Sequence, residues 1–188
     1  MSDLATSALP GAEYSGFVQL REAGLQGMIT LRGDLASGTL AAALQAATGC
    51  ALPSQRKVTK AQGYALAWMS PDEVLLLCPY AQAPALVATL AQALAGEFAT
   101  VANVSDARAV FTLSGPGWRD ALAKLCPVDF GALAEGEIRR TRAAQVAAAI
   151  WVSGPQEVHL VCFRSVAGYM FDLLSTASAP GSEPGLYA

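Results

Sequence analysis

The chain has 188 residues, a mass of 19.4 kDa and a formal net charge of −3, which suits one domain, or one built from two similar halves, with a real core. Apolar residues make up 53% and charged residues 14%, which excludes disorder for most of the chain even though alanine (38 of 188) inflates the apolar share. The acidic balance argues against nucleic acid, and no apolar run approaches the roughly 18 residues of a membrane helix. Met1-Ser2-Asp3-Leu4 does not open a signal peptide, so the expected location is the cytoplasm.

Residues 1–13 are small and polar, with Pro10-Gly11, and predict a flexible N-terminal arm. Met28 to Arg32 alternates as a strand; Ser37 or Thr39 can then cap a helix through Leu40, Leu44 and Ala47, stopped by Gly49. Tyr64–Met69 and Glu73–Cys78 predict two strands joined by a Ser70-Pro71-Asp72 turn. Leu86, Leu90 and Leu94 mark a helix over about Pro84–Leu94 that ends at Gly96. The same order then returns. Ala109–Leu113 reads as a strand, and Ser114-Gly115-Pro116 opens a helix through Trp118, Leu122 and Leu125. Ala147–Val152 and Val158–Phe163 flank a Ser153-Gly154-Pro155 turn, and Ser165 can cap a last helix carrying Met170, Phe171 and Leu174. Residues 176–188 hold Pro180, Gly181, Pro184 and Gly185, a tail that is either loose or draped, and that suits draping over another chain.

The two halves match in residues as well as in order. Arg56-Lys57 and Trp68 precede Arg139-Arg140 and Trp151 by 83 positions. Beyond an inserted Gly154, Glu73-Val74, Leu76 and Cys78 precede Glu157-Val158, Leu160 and Cys162 by 84, while Leu31 and Gly33 precede Leu113 and Gly115 by 82. The expected fold is α+β: a single domain over 14–175, with pseudo-two-fold symmetry, made of two β-α-β-β-α repeats (about 28–95 and 109–175) and mainly antiparallel sheet.

No constellation for chemistry emerges. His159 is the only histidine, and its repeat partner is the apolar Leu75, so it reads as packed or hydrogen-bonded rather than catalytic. Cys50, Cys78, Cys126 and Cys162 form no CxxC pair and read as free buried thiols. Ser114-Gly115-Pro116-Gly117 lacks the spacing, lysine and hydroxyl of a phosphate loop and reads as a tight turn. The basic clusters at Arg56, Lys57, Lys60 and at Arg139, Arg140, Arg142 read either as solvated approaches to strands or as a patch for an acidic partner. Trp118 has no aromatic repeat partner, which makes it a candidate interface anchor. No catalytic, cofactor-binding or metal-binding residue is expected in this chain; the candidate interface residues are Trp118, Arg139 and Arg140.

Val104-Ser105-Asp106-Ala107-Arg108, the Phe111–Pro116 stretch and Leu125-Cys126-Pro127-Val128-Asp129-Phe130 resemble the folate-binding aminomethyltransferase-like superfamily. Within it, Met69–Leu76, the Gly115-Pro116 to Asp129 block and Phe163-Arg164-Ser165-Val166-Ala167-Gly168-Tyr169 resemble the gamma-subunit family of heterotetrameric sarcosine oxidases, over about residues 25–175. The resemblance implies a folate-binding-domain-like fold and a structural role in a complex. That complex demethylates sarcosine oxidatively to glycine, with hydrogen peroxide as product, and passes the one-carbon unit to tetrahydrofolate. It also implies that FAD, FMN, NAD, zinc and tetrahydrofolate sit on partner subunits, with the large alpha-type subunit as the chief partner. Asp129 is the nearest match to the superfamily's folate-contacting carboxylate, and a free-standing small folate-binding protein or aminomethyltransferase relative is the alternative.

Overall fold

Alternating apolar runs become strands and capped apolar runs become helices in the computed structural model, which describes residues 5–187. In chain order the elements are β1 (Glu13–Ser15), β2 (Gln19–Glu22), β3 (Gln26–Arg32), α1 (Gly38–Thr48), β4 (Val58–Ala61), β5 (Tyr64–Ser70), β6 (Glu73–Pro79) and α2 (Ala83–Ala93). They continue with β7 (Thr100–Asn103), β8 (Arg108–Ser114), α3 (Trp118–Ala123), β9 (Ile138–Ala143), β10 (Val146–Gly154), β11 (Glu157–Phe163) and α4 (Ala167–Ala177). Local chemistry sets the ends. The Ser37 hydroxyl accepts the Leu40 N–H to start α1, and Gly49, at φ 72°, closes it in the left-handed conformation. Pro84 lies in the first turn of α2, where its missing N–H costs nothing.

The chain divides into two compact units. One is the contiguous segment Gln26–Asp106; the other joins the N-terminal segment up to Leu25 with the chain from Ala107 onward. The contiguous unit holds an antiparallel sheet in the order β4-β5-β6-β3-β7. Leu40 and Leu44 of α1 and Leu90 of α2 bury the apolar side of that sheet, joining Ile29, Leu31, Leu66, Val74 and Leu76 in one cluster. The discontinuous unit holds the order β1-β2-β8-β11-β10-β9. Its cluster combines Phe111, Leu113, Ile150, Val152 and Leu160 with Leu122 of α3 and Met170 and Leu174 of α4.

The repeat is real at the level of topology, with one feature the sequence did not suggest. β2 leads into β3 but pairs with β8, through Leu20 opposite Leu113. β7 leads into β8 but pairs with β3, through Val101 opposite Leu31. The leading strand of each repeat is therefore exchanged: each unit's sheet is extended by the strand that begins the other repeat.

At the level of residues, the apparent match of Trp68 with Trp151 is overturned. Trp68 N–H donates to the Lys57 carbonyl at 3.1 Å, and the residue that does the same in the other unit is Val152, donating to Glu137 at 3.1 Å. Trp68 stands opposite Val74 and Val152 opposite Val158, whereas Trp151 stands opposite His159. Adjacent strand positions point to opposite faces, so the two tryptophans occupy different sides of their sheets. The cause is hairpin length. β4 and β5 have 4 and 7 residues; β9 and β10 have 6 and 9. An extension of two residues per strand keeps every face in phase, whereas an odd number would invert it. Arg56-Lys57 therefore corresponds to Gly136-Glu137, not to Arg139-Arg140; Arg56 and Gly136 share a left-handed backbone, at φ 62° and 72°.

The expected arm is engaged where it is described. Arg164 donates to the carbonyls of Thr6 and Ser7 at 3.0 Å, the Ser7 hydroxyl donates to Glu22, and β1 begins at Glu13. Residues 1–4 lie outside the described residues.

Candidate functional site

Residues facing one another across the sheet of the discontinuous unit form a row: Arg21, Thr112, His159, Trp151 and Ile138. His159 stacks on Trp151 with ring centroids 5.1 Å apart. Its Nδ1 lies 3.1 Å from the Thr112 hydroxyl, and its Nε2 lies 3.3 Å from the Glu157 carboxylate. The carboxylate favours a proton on Nε2, which leaves Nδ1 to accept from Thr112. Both ring nitrogens are thus committed, and the arrangement offers no open lone pair to a substrate. Glu157 is held below the usual carboxylate range, first by a hydrogen bond from Ser153 at 2.6 Å, then by the nearby His159 and Arg21. In the contiguous unit the equivalent row pairs Thr30 with Leu75, and the buried Thr30 hydroxyl has no partner.

All four cysteines are free and buried. Burial pushes the Cys126 thiol up to about 12 and the Cys162 thiol up to about 11, far from a reactive thiolate. Among the described residues no group of three or more His, Cys, Asp or Glu side chains converges. The Ser114–Gly117 turn is closed by the chain's own Phe17, whose ring would lie 2.7 Å from a Cβ at Gly117. The residues present therefore fit neither a zinc ion nor a phosphate at these places. Asp129 Oδ1 accepts the N–H groups of Gly131 and Ala132, so its carboxylate shapes a loop.

The predicted interface residues are dispersed. Trp118 is fully buried: its ring packs edge-on against Phe130 at 6.0 Å, Arg119 lies 4.2 Å over it, and its Nε1–H donates to the Pro155 carbonyl. Trp118, expected as an interface anchor, therefore packs inside its own unit instead. The physical reason is that α3 has 6 residues where α1 has 11, and the Trp118–Phe130 pair fills the core beside the shorter helix. Arg139 and Arg140 lie within β9 and not before it, on opposite faces. Arg139 binds the Glu137 carboxylate at 2.9 Å and the Ile138 carbonyl, while Arg140 is exposed. The tail, expected over another chain, lies on its own unit. The Asp120 carboxylate accepts the Leu186 and Tyr187 N–H groups, and the Tyr187 ring meets Phe130 at 6.4 Å.

A feature absent from the sequence reading lies in the contiguous unit. An open cavity of about 590 Å3 sits between the β3–α1 loop, the β5–β6 turn and the segment entering β7. Leu40, Phe98 and Ala99 supply its apolar lining. Phe98 is fully exposed. Asp34, Asp72 and Glu97 surround it with carboxylates, against the single guanidinium of Arg32. Arg32 pairs with Asp72 at 2.9 Å; the Ser70 hydroxyl first, and then Arg32, holds Asp72 below the ordinary aspartate range. Nothing in Gly96-Glu97-Phe98 signals exposure of the ring, because Phe beside a strand ordinarily belongs to a core.

Comparison with known proteins assigns the fold and its relatives. The model of the sarcosine oxidase, gamma subunit family matches residues 32–180. A sarcosine oxidase subunit gamma from Corynebacterium sp. (strain P-1) is 32% identical over 182 residues, covering 94% of this chain and 88% of the relative. A chain of the solved heterotetrameric sarcosine oxidase from Corynebacterium sp. U-96 superposes with a TM-score of 0.79 at 32% identity, over 88% of this chain and 87% of that one. The glycine cleavage system aminomethyltransferase T of Bartonella henselae shares the fold alone: TM-score 0.63, 15% identity, 86% of this chain but 46% of that one.

Proposed function

Because the chain belongs to the sarcosine oxidase, gamma subunit family, we propose that it is the structural gamma subunit of a heterotetrameric sarcosine oxidase. The carrying observation is the match, over nearly the full length of both chains, to a chain of an assembled heterotetramer. In this reading the complex demethylates sarcosine oxidatively to glycine, and the one-carbon unit passes to tetrahydrofolate. The flavins, NAD, zinc and folate reside on the other subunits, and the large alpha-type subunit is the chief partner. The committed nitrogens of His159, the buried thiols and the filled Gly117 turn support a role without chemistry of its own.

Co-expression with the candidate large subunit, followed by size-exclusion chromatography and a sarcosine-dependent peroxide assay, tests this reading. Co-elution with activity is expected. Separate elution would defeat the partnership, and full activity of the remaining subunits without this chain would defeat its structural role.

A further inference from the structure

The two units differ at one equivalent edge. In the discontinuous unit, the outer edge of β2 is covered by β1, with Tyr14 opposite Leu20 and Ser15 opposite Gln19. Phe17, between those strands, is seated against Gly117 with Lys124 5.0 Å above its ring. β7 is the exchanged equivalent of β2, and there the sheet ends. Phe98 precedes β7 by the same two residues that separate Phe17 from β2, yet it is fully exposed. Backbone polarity agrees. The Val104 N–H bonds the Met28 carbonyl, so by antiparallel alternation Thr100 and Ala102 face β3 while Val101 and Asn103 turn their N–H and C=O groups outward. Their equivalents, Leu20 and Glu22, are the residues that face β1.

We infer that the outer edge of β7, with Phe98 and the cavity beside it, receives an extended segment of a partner subunit. That segment adds a sixth strand where the other unit has its own β1. Open strand edges accept such additions through main-chain hydrogen bonds, while side-chain pockets set specificity. The chemistry of the occupant follows from the rim. An apolar side chain enters beside Phe98, Leu40 and Ala99, and flanking Lys or Arg side chains face Asp34, Asp72 and Glu97. A second copy pairing symmetrically through this same edge would bring two such carboxylate sets together, so the occupant is assigned to a different chain. This inference rests on the gamma-subunit reading and names the surface that reading requires.

Hydrogen exchange of the free chain and of the co-expressed complex tests it. The outward amides of Val101 and Asn103 should slow at least tenfold on assembly, while those of Leu20 and Glu22, their equivalents under β1, should be protected in both states. Phe98→Ala and Val101→Pro should each weaken association at least tenfold. Phe98→Ala should leave the melting temperature of the free chain unchanged, so its loss of assembly cannot come from unfolding. A complex that forms while Val101 and Asn103 exchange as in the free chain would overturn this inference and leave the gamma-subunit reading intact. Failure of the wild-type chains to associate would overturn both. Self-association of the free chain that Phe98→Ala abolishes would replace the partner segment with a second copy.

Discussion

His159 shows how a single side chain can look functional and yet be structural. Replacing it with leucine removes the partner of the buried Thr112 hydroxyl, but the other unit already keeps Thr30 unpartnered opposite Leu75. His159→Leu is therefore expected to cost no more than about 1–2 kcal/mol in chemical denaturation and to spare complex activity; a hundredfold loss of turnover in a folded complex would show otherwise. Trp118→Ala has a different expected outcome from that of a surface anchor. Removing a fully buried indole should cost about 3–5 kcal/mol, so the free chain should lose stability along with assembly; an unchanged melting curve would contradict its burial. Glu157 gives a pH signature. Its lowered native pKa means its contribution is present above the ordinary glutamate value of about 4.3 and is lost as pH falls through the native value. Ser153→Ala removes the leading cause of that shift. After solvent screening the loss should be on the order of 0.5 kcal/mol at neutral pH and shrink as pH falls below the ordinary glutamate range. Wild-type and variant stability curves that stay parallel into acid would count against it.

At the scale of elements, the tail is a packed part of its unit. Deleting residues 179–188 removes Tyr187 from Phe130 and strands the buried Asp120 carboxylate. The expected cost is about 2 kcal/mol, read as an earlier denaturation midpoint; an unchanged midpoint would show that the tail contributes nothing. The elements legible in the sequence were those with strong periodicity: β3, β5, β6, β8, β10, β11 and the helices. The edge strands β1, β4, β7 and β9, and the short β2 beside β1, escaped. Ile138-Arg139-Arg140-Thr141-Arg142-Ala143 reads as a charged approach because an edge strand tolerates charge on both faces. The structural offset is 80 where β4 and β9 open, 82 at the hairpin closure and 84 along β5 and β10, so the 83 that aligned two unrelated tryptophans and two unrelated basic pairs occurs nowhere in this hairpin. The absence of a repeat partner for Trp118 was a correct observation. Its meaning depended on how far α3 is shortened, which local sequence does not fix. Phe98 was invisible for the opposite reason, since only the missing sixth strand leaves it exposed.

For the molecule as a whole, structural units and sequence repeats do not coincide. Residues 26–106 contain all five strands of their sheet, whereas the repeat in register with it, residues 19–99, lacks β7 and carries β2 without β8. As isolated fragments, 26–106 should retain more secondary structure and unfold more cooperatively than 19–99, as followed by circular dichroism. Equal behaviour would mean that the exchanged strand adds little. The exchange also bears on how the chain emerges during synthesis. The first strands leave the ribosome well before β8: the 81 residues Gln26–Asp106 lie between Leu25 and Ala107. At roughly 5–20 residues per second that delay is on the order of 4–16 s. During it the contiguous unit can close around β7, while β1 and β2, with Val18 and Leu20 uncovered, wait for β8. The interval in which this nascent chain is most exposed to chaperones and to aggregation is therefore written into the order in which its strands are made.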